Sequence, residues 1–361
     1  MIVHIALLFI ILLLNFITEN PERRKKYTLP FSFFLVFVYW AFRYDYGLDY
    51  WNYYRIFEGE QNLTETGFGE FLFLKFLGLF SSYYQVIIAH SAIIIISLYH
   101  LVKKYVPEKC YWLFFLLFFI IPNLHFNLIS AMRSSLAACV MYWAFDLCVI
   151  SKKRWLLFLL LVFVGSNIHT STMVFFLTPL LYYGFSSLSG KSIFIVLIVA
   201  NILSTFMTKN IYSYSFSFFE YFNSYERYVD SVATSNFMGF LYKSVWLLPA
   251  YYLCEFYDKW KTNSEFKDIC IISYVFLIFF LLGLDFQWRL SIVTMPFFII
   301  ALTIVYNDLS SEKKKIMTWP FIIYLIYGMV GYYTQMYARI NGVWSDGNTY
   351  YYSTIFNAGI F

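Results

Sequence analysis

Charge is what this chain has least of. Only 13% of its 361 residues are Asp, Glu, Lys or Arg, and 61% are hydrophobic; a soluble domain carries about 25% charge. That shortage excludes an ordinary soluble fold, and a mean hydropathy of +0.63 places the chain in a bilayer. Cysteine is sparse too. Cys110, Cys139, Cys148, Cys254 and Cys270 lie in or beside apolar runs with no Cys-x-x-Cys pair, so neither a disulfide framework nor a zinc site is expected. No internal repeat, low-complexity linker or soluble stretch interrupts the sequence, and residues 1–361 read as one integral membrane domain. The first apolar run, 2–17, lacks a basic leader and a small-residue cleavage site, and basic residues follow it. It reads as a helix, not a signal peptide.

What the chain has in plenty is aromatic: 10 Trp, 34 Tyr and 43 Phe, suited to interfacial belts and to stacking on sugars. A helix needs about 20 apolar residues to cross the hydrocarbon core. Apolar runs fall near 2–18, 28–42, 83–101, 110–122, 126–150, 155–167, 171–187, 192–209, 239–256, 269–284, 290–306 and 316–336. They predict an all-α polytopic membrane protein of about twelve transmembrane helices.

The gaps between runs set the orientation. Arg23 to Lys26, Lys103, Lys104, Lys109, Lys152 to Arg154, Lys191, Lys259, Lys261, Lys267 and Lys313 to Lys315 all fall in alternate gaps. One assignment puts them all in the cytoplasm and both termini outside. The net charge of +5 is then a matter of cytoplasmic loops, with no nucleic-acid partner. Residues 68–81 are apolar but short and contain Glu70 and Lys75. Counting them as a crossing would invert every later loop, so they read as an interfacial or re-entrant helix. The outer loops thus run over approximately 43–82, 210–238 and 337–361.

Arginine breaks the charge rule. Of nine arginines, Arg43, Arg55, Arg133, Arg227, Arg289 and Arg339 fall on the outer side, whereas 14 of 17 lysines fall inside. The guanidinium is a planar, permanently charged fork that matches phosphate as ammonium cannot. An outward surplus of it points to an outer site for an anionic ligand.

Particular residues carry that idea. Arg43 and Asp49 flank Gly47 at the end of an apolar run, among Tyr50 and Tyr53. The plainer reading is an arginine snorkelling to headgroups beside an aromatic belt. Glu65 precedes the interfacial helix, as a candidate acid or a solvated capping group. Arg133 is expected about two turns inside a helix, where an arginine faces a cavity or a partner; its small neighbours Ser130, Ala131, Ser134 and Ser135 also permit close helix packing. His169 lies at an outer helix junction with no metal-ligand neighbour, as a candidate base or a satisfied structural group. Asp285 and Arg289 share a short outer turn and could simply pair. A transferase facing outward has no nucleotide sugar at hand and needs a pre-activated, lipid-carried donor. Arginines would neutralise a diphosphate leaving group, and a carboxylate or histidine could deprotonate an acceptor hydroxyl. No cofactor and no metal is expected.

The ordered set Arg43-x3-Gly47-x-Asp49-Tyr50-x2-Tyr53, Glu65-x-Gly67-Phe68-x3-Leu72, Met132-Arg133-Ser-Ser-Leu-Ala137 and Ile168-His169-Thr-Ser resembles the EpsG/Wzy-type polysaccharide polymerase family. The match in order and spacing covers roughly the first half of the chain, with Arg289 and the aromatic end a looser fit. The resemblance implies a GT-C-like helical membrane fold and a metal-independent glycosyltransferase at the periplasmic face of the bacterial inner membrane. It would join undecaprenyl-diphosphate-linked oligosaccharide repeat units into O-antigen or capsule. It also implies a chain-length regulator protein as a possible partner. On that reading Arg43, Arg133 and Arg289 bind diphosphate, Asp49 or His169 is the base, and Glu65 orients the first loop. Tyr50, Tyr53 and Gly47 line or shape the sugar site. One departure is Ser134, where relatives often carry Gln after the Arg. The rival readings are a lipid-linked oligosaccharide flippase, which would favour internal repeats, and an acyltransferase built on His169.

Overall fold

A computed structural model describes residues 2–44, 49–60, 71–121, 124–203, 243–260, 263–282, 287–323 and 353–354, with residues 240 and 326 in isolation. Long apolar stretches with few glycines and prolines favour helix, since in lipid each backbone group must be satisfied within its own segment. The helices are α1 (Ile2–Ile17), α2 (Pro21–Arg23), α3 (Leu29–Ala41), α4 (Tyr50–Phe57), α5 (Phe71–Leu77), α6 (Tyr83–Tyr105), α7 (Tyr111–Ile120), α8 (Leu124–Ser130) and α9 (Met132–Ala144). Then come α10 (Trp155–Ser166), α11 (Thr178–Ser186), α12 (Gly190–Leu203), α13 (Leu247–Lys259), α14 (Ser264–Leu282), α15 (Gln287–Asp308) and α16 (residues 311–323). A π-helical turn, Phe145–Val149, extends α9, and a 3-10 segment, Thr170–Leu177, leads into α11.

Among the described residues two helices, Tyr83–Tyr105 and Ser291–Asp308, are long and apolar enough to cross a membrane. The pair α7–α8 makes a third if its two arms, bent by 65°, count as one span. Other apolar helices are shorter. The 12 residues of α10 reach about 18 Å at 1.5 Å per residue. Their outward faces are apolar all the same: Leu156, Leu160 and Leu180 on α10 and α11 are exposed, as are Phe9 and Phe16 on α1. A continuous buried cluster draws from α1 at Leu7 to α16 at Phe321, with α14 against α15, α3 against α6 and α9 against α10 among the closest pairs.

The lysine-rich turns meet at one end of this bundle. Lys25 pairs with Glu108 at 3.0 Å, and Lys313 with Glu255 at 2.8 Å. Two buried aspartates hold the same end deeper in. Asp146 receives Lys104 Nζ at 2.7 Å, His100 Nε2 at 3.0 Å and the Tyr105 hydroxyl at 2.5 Å. Asp268 receives the Ser151 amide at 2.7 Å, the Tyr182 hydroxyl at 2.5 Å and the Lys153 ammonium. Helix direction fixes the other end. α3 leaves the lysine end and finishes beside Arg43, while α6 and α9 arrive at it from Tyr83 and Met132.

The apolar run 126–150 is not one helix. Ala131, at φ −90° and ψ 72°, separates α8 from α9. Arg133, expected two turns inside a helix, is instead the second residue of α9. In an unbroken helix its amide would bond the carbonyl four residues back, at Ile129. Side chains from elsewhere take both groups.

Candidate active site

Arg43 follows the last turn of α3 and is 2% exposed. Its Nη1 donates to the Trp40 carbonyl oxygen at 2.9 Å and to Ser91 Oγ at 3.2 Å. Its Nη2 donates to the Ile129 carbonyl at 3.2 Å. That carbonyl is one of the backbone groups freed by the break at Ala131. Another, the Arg133 amide, donates to the Tyr53 hydroxyl at 3.5 Å. Two side chains of the 43–53 strip therefore fill a gap in the helix ladder, the usual reason for a sharp kink at a position without proline. Arg43 is a protein-facing cation set behind the surface.

Arg133 stands half-buried at the opening of α9. Its N-cap residue, Ala131, offers no side-chain cap. Beyond the Arg133 amide that Tyr53 accepts, the first turn presents its amides and the positive end of its dipole beside the Arg133 guanidinium, a combination that favours negative charge. Asp49, half-buried, is the residue before α4. Asp49 and Arg133 both act electrostatically on the Tyr53 phenol. Burial first, and then the Asp49 charge, push that phenol from its ordinary 10 up to about 12, and Arg133 opposes the rise. Asp49, Tyr53 and Arg133 are thus brought together.

Aromatic residues pack this corner. Tyr50, Tyr53, Phe73, Leu77, Tyr83, Met132 and Leu136 form a second buried cluster, with Ile168 packed against it. The Tyr83 hydroxyl donates to the Tyr50 carbonyl at 3.0 Å, joining α6 to the start of α4. The short helix α5 lies within the 68–81 segment read as interfacial. Phe73 and Leu77 point inward, and Phe71, Leu74 and Leu79 are exposed. Its Leu72 amide donates to the Asn167 carbonyl at 3.2 Å, docking it on the turn that carries His169.

His169 itself is 3% exposed. Its Nδ1 accepts from the Ser171 amide at 3.1 Å and lies 2.7 Å from the Ser171 hydroxyl. It is a cap for the 3-10 segment. The C-terminal stretch comes in as well: Ser353–Thr354 pairs antiparallel with Arg43–Tyr44, Arg43 opposite Thr354. Arg289 is in the first turn of α15; its side chain, with Gly47, Glu65 and the 210–238 loop, lies outside the described residues. Among the described residues no group of three or more His, Cys, Asp or Glu could hold a metal ion.

Sequence reasoning missed three participants: Ser91, His90 and Tyr83. His90-Ser91 is a polar pair between Ile87 and Ile94 in an otherwise aliphatic stretch of α6, and that was the available signal.

Helices fit for a membrane, with an arginine–tyrosine–aspartate corner at the end away from the lysine turns, define a helical membrane protein. The EpsG family model matches residues 26–353, and the chain belongs to the EpsG family. The match runs well beyond the first-half motifs, through α15 to the Ser353–Thr354 strand. Membership carries a polysaccharide-polymerase type of role. Neither a curated protein nor a solved structure matches the chain.

Proposed function

We propose that this protein polymerises polysaccharide repeat units at the outer face of the bacterial inner membrane. A GT-C-like arrangement of about twelve crossings, some by short helices in locally thinned or tilted packing, would place the arginine end outside. The donor is a growing glycan on a polyprenyl diphosphate, and the acceptor is the terminal hydroxyl of another lipid-linked unit. The bond from the sugar's anomeric carbon to the diphosphate oxygen breaks, and the acceptor oxygen takes its place. The acceptor's proton passes to a base, and the electron pair leaves with the diphosphate.

The observation that carries this reading is Arg133 at the open start of α9, next to Asp49 and Tyr53. Arg133 and the α9 amides meet the developing diphosphate charge. Asp49 takes the acceptor proton. Arg43 sits behind and holds the corner open, which changes its expected role from ligand to support. His169, with Nδ1 engaged by Ser171, keeps the 167–172 turn in shape and leaves the base role to Asp49. Glu65 and Arg289 stay as candidate loop acid and third cation, and Tyr50 as a piece of the sugar-facing wall.

The test is polymer length in cells at matched protein level. Arg133→Ala and Arg133→Lys should both collapse long chains to single units, because lysine lacks the fork. Asp49→Asn should do the same. Normal chain lengths with Arg133→Ala would reject the assignment.

A further inference from the structure

We propose that His90 is a positioning residue for this site. It holds the break between α8 and α9 in the shape that Arg43 and Tyr53 fill, and so sets where Arg133 stands. The inference rests on the polymerase reading above. His90 is fully buried on α6, and its Nε2 lies 2.7 Å from Ser135 Oγ. Ser135 is the first residue of α9 to recover a helical bond, its amide reaching the Ala131 carbonyl at 2.9 Å. Its hydroxyl lies 3.0 Å from the Ala131 carbonyl and 2.9 Å from that of Met132, the two residues at the break.

A hydroxyl has one proton to give. Donated to either carbonyl, it leaves Ser135 Oγ to accept, and His90 then carries its proton on Nε2 and donates. The opposite assignment would bury an Nδ1–H donor that faces no partner among the described residues, so the Nε2–H form is the one that fits. The adjacent residue, Ser91, accepts from Arg43. Two consecutive residues of α6 thus grip the break from both sides, Ser91 through the guanidinium that fills the Ile129 carbonyl and His90 through the serine that reseals the ladder. Arg133, two residues before Ser135, is held between these ties. Neither His90 nor Ser135 would touch substrate.

The experiment compares His90→Leu, His90→Gln and Ser135→Ala, singly and with His90→Leu combined with Ser135→Ala, in the purified full chain. Gln can present its amide nitrogen near the imidazole Nε2 position, whereas Leu fills the volume without a donor. With a synthetic polyprenyl-diphosphate repeat unit, His90→Leu and Ser135→Ala should each lower kcat about tenfold, the scale of one hydrogen bond, with KM little changed. The Gln variant should recover to within about threefold, and the double variant should be no worse than the singles. Equal damage from Leu and Gln, additive losses, or an unchanged kcat in His90→Leu would each overturn the proposal. Amide hydrogen exchange over residues 131–135 is read on the same proteins without substrate. It should quicken in Leu and return in Gln. That pattern in a protein whose wild type makes no polymer would reject the polymerase reading and leave the grip on the break standing. Unchanged exchange in His90→Leu would reject the grip whatever the wild type does.

Discussion

At the residue scale the two central arginines are held differently. Arg43 commits its guanidinium to two carbonyls and a hydroxyl, while Arg133 is half-buried beside open helix amides. Their loss should look different. Arg43→Ala strands buried carbonyl groups, each worth roughly 1–3 kcal/mol, so folded yield in detergent should fall. Arg133→Ala should leave yield near wild type and remove product. His169→Ala removes a cap, a loss of roughly 1 kcal/mol, so the melting temperature should drop a few degrees while turnover of the surviving fold persists. The Tyr53 phenol gives a pH prediction. Its pKa is raised in the folded protein, so its contribution is complete below about pH 10 and disappears as pH climbs through about 12. Tyr53→Phe should flatten that alkaline limb of an unfolding titration, and an unchanged limb would say the phenol is not buried in the folded protein.

At the scale of elements, the arrangement rests on a few close approaches. Gly190 opens α12, and its amide donates to Asp258 at 2.9 Å. A Cβ there would overlap the Cys254 carbonyl oxygen on α13, so Gly190→Ala must push α12 and α13 apart; a fall in thermal stability, with the protein still soluble in detergent, is the expected readout. Asp268 ties the 151–154 turn, where Ser151 and Lys153 hold φ of 64° and 53°. Asp268→Asn removes the carboxylate that the Ser151 amide, the Tyr182 hydroxyl and the Lys153 ammonium share, and limited proteolysis should open first at that turn. The sequence made some of these elements legible and hid others. The segment at 68–81 announced itself by its shortness and by Glu70 and Lys75 within it, and the structure turns Phe73 and Leu77 of its helix inward. The break at Ala131 did not, because alanine is an excellent helix former and the kink comes from Arg43 and Tyr53 arriving from a distant stretch of the chain. Buried Asp146 and Asp268 were hidden for the same reason. Their lysine partners were visible as loop charges, but the pairing spans 42 and 115 positions.

At the scale of the molecule, most of the described lysines lie in turns at one end of the bundle, with Arg23, Arg24 and Arg154 among them. The lysine turns are tied to one another by acids at one end. Arg43, Asp49, Arg133 and His169 gather at the other with the docked α5 and the Ser353–Thr354 strand. That the lysine turns share an end was legible in the sequence, since alternate gaps of a hydrophobic pattern must share an end when each run traverses once. The outward arginines are the ground for proposing an anionic ligand at the other end. That Arg43 is buried on carbonyls while Arg133 is half-buried was not legible, because it depends on which carbonyls the break leaves open.

One reaction tests the polymerase role most directly: the purified protein with a synthetic undecaprenyl-diphosphate repeat unit, without nucleotide, resolved on a gel. A ladder of lengthening products is expected for the wild type, and single units for Arg133→Ala. Labelled substrate crossing a liposome bilayer with no ladder formed would contradict the role, and would make the arginine end a docking site for transport.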